Sequence, residues 1–200
     1  MIDGVNTYCI NLKSRPERWI KVQSEMKKID MYTERFDAIR HSRGHTGCIL
    51  SHMALMEEVK DEGVWMTIED DILFLPEAKN NLYKAYDQLP DDWDMLYLGA
   101  TLNKKLEKVS DNLLRLKGGW TTHGIIYNNQ NGVADYILQG MDRYKVDVFI
   151  ADVVQEKFNC FMCYPMVATQ RPGRSDIVNK YTDYHAITDR YKKYVTDILE

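Results

Sequence analysis

The sequence predicts an α/β fold, with a sheet of buried strands carrying helices on both faces in one domain, and three observations predict it. Short strand-like runs alternate with stretches of helical periodicity, the pattern of an open α/β sheet. Val64-Trp65-Met66-Thr67-Ile68 and Met95-Leu96-Tyr97-Leu98 are apolar almost throughout, as strands covered on both faces must be. The 200 residues, 44% apolar and 28% charged, suffice for one sizeable core.

The elements follow in order. Val5 to Leu12 is rich in strand formers, and Ser14-Arg15-Pro16-Glu17 has the form of a capping box opening a helix on which Trp19, Val22, Met26 and Ile29 share a face. A short strand is expected over Glu34 to Ala38, followed by the polar loop Arg40 to His45. Thr46 then caps a helix to Lys60, with Ile49, Met53, Met56 and Val59 on one side. The Val64–Ile68 strand stops at three acids. A helix over Pro76 to Gln88 precedes the Met95–Leu98 strand, which Gly99 ends. The next region is less regular, with weak strands at 113–116 and 124–127 and a short helix over 132–139. Gln170 to Arg174 reads as a mobile loop. Tyr184, Ile187, Tyr191, Tyr194 and Ile198 recur at 3-4-3-4 spacing, an amphipathic helix. The expected organisation is a domain over 1–182 and a helix over 183–200 that packs on it or on a partner chain, in the second case making a homodimer.

A net charge of −4, with 26 basic residues mixed among 30 acidic ones, gives no broad footprint for a polyanion, so no nucleic-acid partner is expected. Met1 to Val5 lacks the basic and apolar regions of a secretory signal, and no run approaches the roughly 18 apolar residues of a membrane span. A cytoplasmic protein is the expectation. Cys160 and Cys163 form a lone C-x-x-C in an apolar run that reads as a strand, where residues three apart face opposite sides; reduced, buried thiols are expected rather than a zinc or redox pair.

Glu69-Asp70-Asp71 carries the chemistry. Adjacent carboxylates repel and raise one another's pKa, so a cation should compensate them. A hard ion, Mg²⁺ or Mn²⁺, takes carboxylate oxygens together with substrate phosphates. The plainer reading is a solvated acidic turn, as for Asp91-Asp92. The apolar strand that aims the triplet at the binding edge of the sheet favours the metal.

Ile10-Asn11-Leu12 with Arg15 and Arg18, Gly47-Cys48-Ile49-Leu50-Ser51-His52, and Ile68-Glu69-Asp70-Asp71-Ile72 together resemble glycosyltransferase family 25, the lipopolysaccharide and procollagen galactosyltransferases. Thr121-Thr122-His123-Gly124, Val146-Asp147, Gln170 and Ser175-Asp176-Ile177 extend the resemblance in family order. It implies a GT-A type fold with a mixed central sheet, and inverting transfer of galactose or glucose from a UDP-sugar. It also implies that Asn11, Leu12, Arg15 and Arg18 face the nucleotide, that Ser51 and His52 line the donor pocket, and that Asp71 with Asp70 or Glu69 holds the metal. Ser175 and Asp176 belong to the same donor region. The acceptor would be a glycan, lipid-linked or protein hydroxyl.

An inverting transfer needs a base for the acceptor hydroxyl, and Asp147, Asp152 and His123 are the candidates. Asp147 stands beside an apolar run. Asp152 reads equally as a helix-surface charge, and His123 and His52 as buried structural histidines. Two other readings stand beside the transferase. One is a metal-dependent phosphatase or nucleotidyltransferase, although the position after the first strand holds Asn11-Leu12-Lys13 rather than a nucleophilic aspartate. The other is a non-catalytic nucleotide-sugar binding module.

Overall fold

The computed structural model describes residues 2, 4–141 and 145–195, so Ile198 of the C-terminal stripe lies outside the described residues. β1 (Asn6–Asn11), β3 (Val64–Glu69), β5 (Met95–Tyr97), β10 (Gly124–Asn128) and β11 (Cys160–Cys163) form the middle of an eight-stranded sheet. Its order is β2-β1-β3-β10-β5-β11-β8-β7, completed by β2 (Glu34–Asp37), β8 (Leu113–Arg115) and β7 (Glu107–Lys108). β1 runs parallel to β2 and β3, and β5 parallel to β11. β10 lies antiparallel between β3 and β5, so the sheet is mixed.

The sheet's two faces form two apolar clusters, which explains the absence of alternation in the sequence. Met95 and Tyr97 point into one cluster, Leu96 and Leu98 into the other. The same rule separates Cys160 from Cys163, both fully buried and unpaired. The first face is covered by α2 (Gly44–Val59), α4 (Val133–Gly140) and α5 (Val146–Phe149), the last running through a π-helical stretch at Ile150–Val154 into α6 (Gln155–Lys157). The second face is covered by α1 (Pro16–Lys27) and α3 (Ala78–Asp87). α7 (His185–Val195) seats Ile187 and Val195 inward, and its Tyr191 hydroxyl accepts the Met166 N–H at 3.1 Å.

Several local expectations give way. α1 starts one residue later than a Ser14 cap would set it: Arg15 is the N-cap and takes Glu17 by its own Nε at 2.7 Å, so no capping box forms. α2 starts at Gly44 rather than after Thr46. A side chain at Gly44 would meet the Ile177 backbone at 2.5 Å, so this first turn exists because glycine admits the passing segment. α3 begins at Ala78, behind Glu77 in the left-handed region at φ 61°, instead of at Pro76. The acid triplet is followed by an unexpected strand, β4 (Ile72–Phe74), paired antiparallel to β12 (Ala168–Gln170).

The expected mobile loop is held down instead. Gln170 ends β12, Gly173–Ser175 form β13, and this pairs with β14 (Lys180–Thr182). Between them the Arg171 N–H donates to Asp71 O at 2.6 Å and its guanidinium to the buried Glu25 at 2.9 Å. From α1, Arg18 reaches Arg174 O at 2.5 Å and Arg15 ion-pairs with Asp176 at 2.6 Å. No helix among the described residues is long and apolar enough to cross a membrane.

Candidate active site

β3 delivers Glu69 to the carboxyl edge of the sheet, and the turn to β4 places Asp70 and Asp71 immediately beyond it, where ligands of open α/β sheets bind. A cavity of about 250 Å³ opens there. Glu69 and Gln170 line it from the sheet side, Cys48 from α2, Thr121 and Thr122 from the segment ahead of β10, Asp147 from α5, and Ser175 and Tyr184 from the last third of the chain.

The three carboxylates have three different environments. Asp70 accepts from Arg18 Nη1 at 2.6 Å and from Asn11 Nδ2 at 2.8 Å. Burial still pushes its pKa up, against those partners. Glu69 accepts the Thr122 hydroxyl at 2.6 Å and lies 3.3 Å from His52 Nε2. Burial pushes Glu69 upward, but the histidine and threonine outweigh it and hold the carboxyl below its ordinary range. Burial likewise opposes the charge on His52, and its contacts with Cys48 and Glu69 win, so its pKa is raised. Asp71 has only long contacts from Gln170 Nε2, at 3.3 and 3.4 Å, and a bond with the Tyr184 side chain. Burial, then the charges of Glu69 and Asp70, push it up to about 7.

This arrangement suits a hard divalent cation. Negative charge is in excess at Asp71. Two buried acceptor oxygens beside the acids, Asn11 Oδ1 and Gln170 Oε1, have no partner. The donors are all oxygen, the chemistry Mg²⁺ and Mn²⁺ select.

The remaining predicted residues separate clearly. Leu12 turns the chain after β1, its carbonyl accepting from Arg15 N–H at 2.9 Å. Arg15 and Arg18 bind Asp176, Asp70 and the Arg174 carbonyl, bracing the site's edge. Ser51 is buried; its hydroxyl donates to Gly47 O and accepts from Ile39 N–H, which fixes α2 to the loop before it. Ser175 lines the cavity, while Asp176 is exposed beside it. Asp147 lines the cavity and is half-buried. Asp152, on the π-helical stretch, is exposed and outside the lining. His123 is fully buried between Thr121 Oγ1 at 3.1 Å and Ala168 O at 3.2 Å, and burial lowers its pKa, keeping the ring neutral.

Sequence reasoning gave Thr122 and Tyr184 no role at the site, although Thr122 stood in the segment matched around His123. Tyr184 carried a signal, but as the first member of the helical stripe. It instead precedes α7 at φ 46°, and Thr121 adopts φ 78°; two cavity-lining residues thus sit in the left-handed region, where non-glycine residues cluster at functional sites.

With this geometry in view, the chain matches the family model "Glycosyltransferase family 25 (LPS biosynthesis protein)" over residues 40–161. It is 30% identical over 91 residues to "Probable inactive glycosyltransferase 25 family member 3" of Bos taurus, covering 42% of this chain and 15% of that protein. It is 29% identical over 79 residues to "Procollagen galactosyltransferase 1" of Danio rerio, covering 37% of this chain and 13% of that protein. The matched stretches are thus a small part of those longer relatives. Among solved structures, a glycosyltransferase involved in the glycosylation of the major capsid of PBCV-1 superposes with TM-score 0.58 at 6% identity, over 96% of this chain and 98% of that one. That likeness bears on the fold, which is of the GT-A type.

Proposed function

Because this chain belongs to glycosyltransferase family 25, we propose that it transfers a hexose, galactose or glucose, from a UDP-sugar to an acceptor hydroxyl, with inversion and assisted by Mn²⁺ or Mg²⁺. The observation that carries this reading is Asp71: a half-buried carboxylate without a cationic partner of its own, beside two orphaned acceptor oxygens, and bonded to Gln170 and Tyr184, which line the cavity together with Asp147. Asp71 and Asp70 would hold the cation, which when bound offsets the charge growing on a departing diphosphate. Asp147 takes the acceptor proton. Arg15 and Arg18 keep Asp70 and the 174–176 segment in place, and Gln170 spans Glu69 and Asp71.

The acceptor is a glycan, lipid-linked or protein hydroxyl. Ile177 and Val178, exposed at the cavity's lip, favour an acceptor with an apolar portion.

The test is thermal shift with UDP, ADP and GDP, with and without Mn²⁺, followed by product analysis with UDP-galactose and UDP-glucose. Selective stabilisation by UDP plus Mn²⁺, and a product of inverted configuration, is expected. Equal stabilisation by all three nucleotides would overturn the donor. Because one relative's printed name includes "inactive", a second reading is a nucleotide-sugar binding module. Binding of UDP without turnover of either donor would select it.

A further inference from the structure

One cluster of side chains beside the acids is of a different chemical kind. Cys48 and His52 are four residues apart on α2, so both face the same side of the helix, and Glu69 meets them from the end of β3. Their ligand atoms, one sulfur, one nitrogen and one oxygen, all lie within 4.8 Å of one another, with His52 Nε2 and Glu69 Oε1 at 3.3 Å. In tetrahedral zinc sites, bonds of about 2.0–2.3 Å place neighbouring ligand atoms roughly 3.3–3.8 Å apart. Small side-chain rotations would close this group on a cation.

We propose that Cys48, His52 and Glu69 form a second cation site, for Zn²⁺ or a cation of similar softness, with its fourth position open to the cavity. Mixed sulfur, nitrogen and oxygen donors select a borderline ion, whereas Asp70 and Asp71 offer oxygen alone, so the two sites differ in the metal they prefer. Cys48 and Glu69 both line the cavity, which leaves room for water or a substrate oxygen at the fourth position, the arrangement of open zinc sites. The Thr122 hydroxyl on Glu69 at 2.6 Å fixes the carboxylate's orientation, as partners of metal ligands do. Metal binding requires a thiolate at Cys48 and a neutral imidazole at His52, so it releases protons. Cys48 is also the one cysteine of the four that is not fully buried. The inference stands whether or not the transferase reading does.

The test uses the full chain, stripped with chelator and titrated with Co²⁺, whose bond to a thiolate gives a near-ultraviolet charge-transfer band. One equivalent should produce the band and Zn²⁺ should abolish it. Cys48→Ser and His52→Ala should lack it, and Asp71→Asn should keep it. A band absent from the wild-type chain, or one that survives Cys48→Ser, overturns the proposal. A second measurement needs no variant: stoichiometric Zn²⁺ should slow iodoacetamide alkylation of Cys48, read by peptide mass spectrometry, because a thiolate bound to metal is withdrawn as the nucleophile. Alkylation at an unchanged rate also overturns it.

Discussion

Arg18 Nη1 and Asp70 Oδ1, 52 residues apart in sequence, meet at 2.6 Å. This pair ties α1 to the turn after β3 and settles which acid of the triplet lacks compensation: Glu69 has His52, Asp70 has Arg18, and Asp71 has neither.

That imbalance predicts a pH-dependent stability in the metal-free protein. The folded-state pKa of Asp71 is raised to about 7, whereas an unfolded aspartate titrates near 3.9. Between those values the native state binds the extra proton, so Asp71 lowers stability as pH rises through this window and the penalty is complete above about pH 7. Asp71→Asn should therefore stabilise the fold at pH 8 by at least about 1 kcal/mol, a rise in Tm of roughly 2–4 °C for a domain of this size, with no gain at pH 4. Calorimetry at the two pH values checks it; an equal gain at both would mean that repulsion at Asp71 is not the cause. The same variant should lose the Mn²⁺-dependent part of any UDP stabilisation.

Gln155 offers a test of the fold apart from the site. It is fully buried on the helix after α5, and its amide clamps Gly119, accepting from its N–H at 2.9 Å and donating to its carbonyl at 2.8 Å. Gln155→Met keeps the volume and leaves two buried backbone groups unpaired, each costing about 1–3 kcal/mol. The expected loss in urea denaturation is about 2–4 kcal/mol with the slope unchanged. A loss under about 1 kcal/mol would show that water replaces the clamp.

Gly99 was legible as a strand stop, but its reason was not. A side chain there would lie 2.1 Å from the Ala168 carbonyl oxygen, in the backbone of the strand that pairs with β4. Gly99→Ala should cost at least about 2 kcal/mol, the range of overpacking, because backbone rather than a side-chain tip has to move. A Tm within a degree of wild type would show that the β12 segment shifts freely.

The strands through the middle of the sheet were readable because burial on both faces writes itself into sequence as an unbroken apolar run, as in Val64–Ile68 and Met95–Leu98. The acid triplet was readable for a related reason, since carboxylates ending such a run stand out. What sequence did not show depends on distant partners. The 170–176 segment has the glycine, proline and arginines of a free loop, and it is fixed by Glu25, Asp71, Arg15 and Arg18, more than 90 residues earlier. β4 is three residues long and exists by pairing with β12. The Cys48–His52–Glu69 cluster needs α2 and the end of β3 brought together, which spacing within either element does not reveal.

The last prediction concerns the base. An inverting transfer requires a proton acceptor that faces the acceptor space and is separate from the metal-binding acids. Of the three candidates, His123 has both ring nitrogens occupied, by Thr121 Oγ1 and Ala168 O, and is fully enclosed. Asp152 is exposed and lies outside the cavity lining. Asp147 lines the cavity from the first turn of α5, one oxygen accepting its neighbour's N–H from Val148 at 3.0 Å, which leaves the other oxygen for a hydroxyl. Asp147→Asn should lower kcat by about 10²–10⁴-fold, the usual contribution of general base catalysis, with UDP binding near wild type. Asp152→Asn should change kcat little. His123→Gln should act mainly on stability, since it disturbs buried hydrogen bonds. A steady-state comparison of the three, with UDP affinity measured separately, decides it: an Asp147→Asn enzyme that turns over normally, or a product of retained configuration, would remove Asp147 from the role.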